Sequence, residues 1–185
     1  KRMRNLINDL NLASKLEYNM QPLNPERQNL IAIVRQVVVD FINMNLDEKY
    51  KIEWETDEEL TSCTANVDKD LMKRAVSNLI QNSMNHNGQG CHIFVRVIAE
   101  DNVCTVVVAD DGTGATDEQI EELNNTPHYM VCDENTFEQR HGLGLLIVKQ
   151  IIFAHSGKML IKHSGYGGFE VDLSLPMQDS YWVNP

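Results

Sequence analysis

The chain has little cysteine, no basic excess and no long apolar run, and each shortage closes off a class of function. The four cysteines, Cys63, Cys91, Cys104 and Cys132, form no CxxC pair and no zinc-type spacing. A metal centre built on them is not expected, and they read as buried or incidental thiols in a reducing compartment. Lys and Arg number 16 against 27 Asp and Glu, a formal net charge of −11. A nucleic-acid surface uses the opposite, clustered positive charge, so no nucleic-acid partner is expected. No stretch approaches the ~20 apolar residues of a membrane-spanning helix, and no signal peptide is visible. The chain also lacks the phosphate loop GxxxxGK followed by Ser or Thr, the dinucleotide motif GxGxxG, and the HRD and DFG elements. A nucleotide, if bound, needs a different cradle.

What is present suffices for one good core with an appended element: 185 residues, 42% of them hydrophobic. The first residue is Lys rather than Met, so a fragment of something longer is expected, with room for a membrane segment outside it. Leu6, Leu10, Ala13 and Leu16 recur at helical spacing and predict a helix over residues 1–20. Pro22 and Pro25 break it. Residues 21–26 read as a linker and 27–185 as the main domain. Asn24 is placed to cap a second helix, with Pro25 at its first position. The first helix either docks on the main domain or belongs to an incomplete bundle. Two strands follow, "YKIEWET" and "SCTANV", then a helix capped by Asp68, then "CHIFVRVIAE" and "NVCTVVVAD" as an antiparallel hairpin turning on Asp-Asn. A helix start, an irregular polar stretch over 125–141, an apolar helix "GLGLLIVKQIIFAH" and a final hairpin complete the chain. Helices and strands mix without a regular βαβ repeat. The expected class is therefore α+β, a two-layer sandwich of a mixed, mostly antiparallel sheet packed on helices.

The helix after Asp68 is odd. It carries Asn78, Asn82 and Asn85, within about 60° of one another at 100° per residue, although Asn costs more helix propensity than Glu, Lys or Gln. Met72, Val76, Leu79 and Ile80 gather on the opposite side. The amides are either a solvated face or a wall of neutral oxygens for a hard cation and NH₂ groups for phosphate. Downstream, "DDGTG" ends a strand in Asp110, with Gly112 and Gly114 behind it. This is either a tight turn or a place where a flat ligand approaches backbone beside a carboxylate able to accept from an exocyclic amine. Gly142 and Gly144 open the apolar helix, where free N–H groups favour phosphate.

In order, these pieces resemble the ATP-binding (Bergerat-type) fold shared by sensor histidine kinases, gyrase B, Hsp90 and MutL. "NLIQNSMNHN" is similar to the N box, "DDGTG" to the G1 box and "HGLGL" to the G2 box, with "NTFEQ" a poor F box between them, over about residues 24–176. The hydrolases of that superfamily carry a water-activating glutamate four residues before the N-box asparagine. Here that position is Asn78, which cannot act as a base, as in histidine kinases. The opening helix also resembles the end of the second helix of the kinases' dimerisation hairpin.

The resemblance implies Asn82 as the ligand of Mg²⁺, Asn78 near phosphate or the metal shell, and Asp110 on the adenine amine. Gly112 and Gly114 would admit the ring, and Gly142, Leu143 and Gly144 would meet the phosphates. Residues 115–141 would form an ATP lid anchored by Phe137. Many relatives carry Lys and Tyr where this chain has Asn85 and His86, so His86, Arg140 or Lys149 would have to supply the phosphate-facing cation. The cofactors implied are ATP and Mg²⁺. The phosphoacceptor histidine and its base would lie upstream, outside this chain. The partners implied are that dimerisation hairpin and a response-regulator receiver domain, in a homodimeric parent anchored in the membrane with this domain in the cytoplasm.

Overall fold

A computed structural model describes residues 2–44, 47–125 and 142–178. In order these form helix α1 (Arg2–Glu17), strand β1 (Glu26–Asn29), helix α2 (Leu30–Asn43), strands β2 (Tyr50–Trp54) and β3 (Thr64–Val67), and helix α3 (Lys69–His86). Strands β4 (Cys91–Glu100) and β5 (Val103–Asp110), helices α4 (Asp117–Asn125) and α5 (Gly142–Ala154), and strands β6 (Lys158–His163) and β7 (Phe169–Pro176) follow.

Five strands make one sheet in the order β2-β4-β5-β7-β6. β2 runs parallel to β4, and the other three neighbouring pairs are antiparallel, as the mixed, mostly antiparallel expectation has it. The β4–β5 hairpin turns on Asp101 and Asn102, at φ 50° and 61°, the left-handed pair that a two-residue hairpin loop requires. Strand alternation then sorts the side chains. Ile93, Val95, Val97, Val106, Val108, Val171 and Leu173 are buried on the face that α2, α3 and α5 cover. The opposite face is polar and ionic. Arg96 pairs with Glu55 and Glu170 at 3.6 and 3.4 Å, and Lys162 with Glu170 and Asp172 at 3.0 and 2.7 Å.

Two expectations are corrected. Residues 26–29 are a strand rather than the first turn of α2, because they pair antiparallel with Thr64–Val67. The helix begins at Leu30, and Asn29, not Asn24, caps it by accepting from the Ile31 N–H at 3.1 Å. The second correction concerns the thiols. Cys63 and Cys104 are joined in a disulfide, 41 residues apart in sequence, whereas Cys91 is a free, buried thiol. Burial first, then the Asp110 and Asp111 carboxylates, push the Cys91 thiol up to about 11. It is therefore uncharged and unreactive at neutral pH.

α1 docks rather than standing alone. It packs on α5, burying Leu12, Ala13 and Leu16, while Asp9 forms an ion pair with Arg74 of α3. Ile7 and Leu10 stay exposed on its outer side. On α5 itself, Gln150 is buried with neither amide atom hydrogen-bonded. An orphaned buried amide costs stability, so Gln150→Leu should stabilise the protein by about 1–2 kcal/mol. Chemical denaturation of the two proteins measures it, and a loss of stability would show that the amide has a partner in solution.

Candidate functional site

The Asn-bearing helix is fixed first at its start. Asp68 Oδ1 accepts from the N–H groups of Asp70 and Leu71, both at 3.1 Å, satisfying donors that a helix N-terminus leaves free. Its Oδ2 accepts from the Asn24 N–H at 3.0 Å, and its own N–H donates to Nε2 of the buried His155 at 3.0 Å. The incoming chain, β3 and the end of α5 thus converge on one cap. Met72, Val76, Leu79 and Ile80 face the core as their spacing predicts.

The three asparagines then part company. Asn82 is only 9% exposed, and its amide is hydrogen-bonded to no described residue. It lines a cleft with Ser83, His86, Asn87, Asp110, Thr113, Gly114, Ala115 and Phe169. Asn78 points toward the start of α5, where its Nδ2 donates to the Gly144 carbonyl at 3.4 Å. Asn85 is exposed, its Oδ1 accepting from Gln81 at 3.1 Å. Only Asn82 and His86 of the four N-box candidates therefore border the cleft. Burial lowers the His86 imidazole below its usual value, with the Asp110 carboxylate opposing that shift.

Asp110 ends β5 opposite Ile93, which puts it on the helix-covered face. It is 1% exposed. One oxygen, Oδ1, accepts from the Gly112 N–H at 3.0 Å and the Phe169 N–H at 3.2 Å. Oδ2 makes no hydrogen bond with a described residue and is not one of the fully buried unpartnered atoms, so it is an acceptor open to the cleft. The glycines around it allow close approach. A Cβ on Gly112 would fall 2.0 Å from Asn87 Oδ1, and one on Gly168 would fall 2.2 Å from Asp110 Oδ1. Gly114 has φ +65°, the left-handed region that favours glycine.

Asn87, Gly168 and Phe169 are among the residues of the site that were not singled out from the sequence. Asn87 is buried, donates to the Ser83 carbonyl at 2.9 Å and accepts from the Thr113 N–H at 3.0 Å, tying the end of α3 to the glycine turn. Gly168 and Phe169 reach Asp110 from the β6–β7 connection. Their only sequence signal is a second glycine pair, "YGGF".

Gly142, Leu143 and Gly144 form the first turn of α5 as expected, with Leu143 buried, but do not border the cleft. Lys149 points elsewhere. Its Nζ donates to the carbonyls of Leu123 and Asn124 at 3.3 and 3.1 Å, at the end of α4, and burial lowers its pKa. Within the expected lid, residues 117–125 are α4, tied to β6 by paired hydrogen bonds of 2.8 Å between Asn124 and the backbone of Ile161. Phe137, Arg140 and the rest of that segment, 126–141, lie outside the described residues. Among the described residues no three His, Cys, Asp or Glu side chains group as a metal site.

A mixed, mostly antiparallel five-stranded sheet packed on helices is the architecture of the ATP-binding catalytic domains of histidine kinases. The chain belongs to the histidine kinase-, DNA gyrase B- and HSP90-like ATPase family, whose match covers residues 67–179. It is 31% identical over 155 residues to the sensor histidine kinase YvrG of Bacillus subtilis, covering 84% of this chain and 26% of that protein. Its identity to the signal transduction histidine-protein kinase BaeS of Escherichia coli is 27% over 117 residues, covering 63% and 25%. The chain thus spans about a quarter of the length of these relatives. Solved structures agree on the fold. The histidine kinase AdeS of Acinetobacter baumannii superposes with a TM-score of 0.68 at 21% identity, covering 95% of this chain and 79% of that one. Full-length ShkA in complex with AMPPNP superposes at 0.77 and 19% identity, covering 97% and 36%.

Proposed function

We propose that this chain is the ATP-binding half of a protein-histidine kinase, with ATP held in the cleft between Asn82 and Asp110. The observation that carries this reading is Asp110. Its carboxylate is buried at the cleft with one oxygen committed to the Gly112 and Phe169 N–H groups and the other uncommitted. A carboxylate oxygen that opens on the cleft without a protein donor is free to accept from a ligand, and the adenine amine would satisfy it. The residues also fit Mg²⁺, since Asn82 offers a buried amide oxygen that no described residue uses. When bound, Mg²⁺ neutralises charge on the phosphates.

The chain's own residues would do the rest. Gly112, Gly114 and Gly168 let a flat ring approach backbone, and the first turn of α5, at Gly142–Gly144, would direct its free N–H groups at phosphate. Asn78 holds that turn through the Gly144 carbonyl and supplies no base for water, so hydrolysis is slow. The γ-phosphoryl would pass to a histidine on the dimerisation hairpin, with an acidic neighbour as its base, and on to a response-regulator receiver domain. The parent would be a membrane-anchored homodimer with this domain in the cytoplasm. In support, the curated relatives above are named as sensor or signal-transduction histidine kinases. Among the described residues no helix is long and apolar enough to cross a membrane.

Calorimetric titration with a non-hydrolysable ATP analogue tests the reading. Wild type should bind in a Mg²⁺-dependent way, and Asn82→Ala should lose that binding. No binding by folded protein at millimolar analogue would make the domain a nucleotide-blind scaffold. Steady ATP turnover without an acceptor protein would instead make it a gyrase- or MutL-like ATPase.

A further inference from the structure

The β6–β7 connection, residues 164–168, holds the strand end at Asp110 from both faces of the sheet. On the helix-covered face, Phe169 donates its N–H to Asp110 and borders the cleft. Gly168 packs so closely that a Cβ there would fall 2.4 Å from the Asp110 carbonyl oxygen. On the opposite face, Tyr166 lies flat on Phe94, with ring centroids 3.7 Å apart and planes at 14°. Phe94 packs in turn on His92 at 4.2 Å. The Tyr166 hydroxyl donates to the Glu55 carboxylate at 2.7–2.8 Å.

The span between these two anchors is short and internally bonded. Tyr166 N–H donates to Ser164 Oγ at 3.1 Å, Gly167 N–H to the Ser164 carbonyl at 3.0 Å, and Ser164 N–H to the Gly168 carbonyl at 2.9 Å. These three hydrogen bonds link Tyr166 to Gly168 within one short turn.

We propose that Tyr166 is a positioning residue for the adenine-reading carboxylate, and that its stack on Phe94 sets how sharply the site distinguishes adenine from a 6-oxo purine. Tyr166 does not border the cleft. It acts through Gly168, Phe169 and Asp110, and the proposal rests on the ATP reading of the cleft. A 6-oxo purine presents an acceptor where adenine presents a donor, so discrimination depends on where the carboxylate oxygen stands. A turn released from Phe94 lets that oxygen move and blunts the distinction.

The experiment measures Kd for magnesium complexes of non-hydrolysable ATP and ITP analogues on wild type, Tyr166→Phe and Tyr166→Ala, with Tm recorded for each. Tyr166→Ala should weaken the ATP analogue about 10-fold, the upper end of what an aromatic stack contributes. It should leave the ITP analogue nearly unchanged, so that the ratio of the two constants collapses. Tyr166→Phe keeps the stack and loses only the hydrogen bond to Glu55, and should hold most of the ratio. A wild type that binds neither analogue overturns the ATP reading and this proposal with it. A wild type that binds the ATP analogue, beside a Tyr166→Ala protein with the same ratio, overturns the role of Tyr166 alone, whatever its Tm. If Tyr166→Ala is unfolded, Tyr166→Leu takes its place, and an unchanged ratio there overturns the proposal.

Discussion

Asp110→Asn will fold with a near-wild-type Tm and bind an ATP analogue roughly 100-fold more weakly, the loss expected for a charge-assisted hydrogen bond turned into a clash of donors. The asymmetry of its two oxygens is the reason. Oδ1 is held by the Gly112 and Phe169 N–H groups, and the amide oxygen of Asn can take over both bonds. The second position then becomes an NH₂ facing the adenine amine, where an acceptor is needed. Asp110→Ala removes both functions, so it should lose binding to the same extent and also melt at a lower temperature, with the two N–H groups left unpaired in a buried setting. Calorimetry and a thermal melt on both proteins separate the effects. Wild-type affinity in Asp110→Asn would show that the base is read elsewhere.

The second large effect is expected at a residue with no side chain. A methyl group on Gly168 would fall 2.2 Å from Asp110 Oδ1, 2.4 Å from the Asp110 carbonyl oxygen and 2.6 Å from the Gly112 nitrogen. Two of those three neighbours are backbone, which does not swing aside as a long side chain can. Gly168→Ala should therefore cost about 3 kcal/mol, the upper end for overpacking, or roughly 10 °C in Tm for a domain of this size. It should also abolish nucleotide binding, since it displaces the glycine turn and the carboxylate together. Gly165→Ala, in the same connection, meets nothing within 4 Å and should stay within about 0.5 kcal/mol of wild type. Equal melting of the two variants would refute the tight contact at Gly168.

Some of this was open to inspection in the sequence and some was not, and sequence distance explains the division. The β4–β5 hairpin was legible because its strands and its Asp-Asn turn are local. Asn82 and Asp110 were legible as polar residues out of place, an amide on a helix and a carboxylate closing a run of valines. The start of α2 was misread because a plausible local cap, Asn24 with Pro25, competed with a pairing to residues 64–67 that no local signal announces. The Cys63–Cys104 bond was hidden for the same reason. Lys149 was a sound candidate by charge, but its direction is set by the open carbonyls at the end of α4. Asn87 and Gly168 escaped notice because the contacts that bring them to the site, with Thr113 and with Asp110, are made across the fold.

The Cys63–Cys104 bond bears on how any sample of this protein is handled. Both sulfurs belong to residues with 0% exposure, and thiol–disulfide exchange needs a thiolate to reach a sulfur directly. A reductant added to folded protein therefore meets the bond only when the domain opens. The bond's state in the tube records the redox conditions under which the chain folded more than those in the buffer around it. Two preparations with identical sequence and identical buffer can consequently differ in stability according to their history.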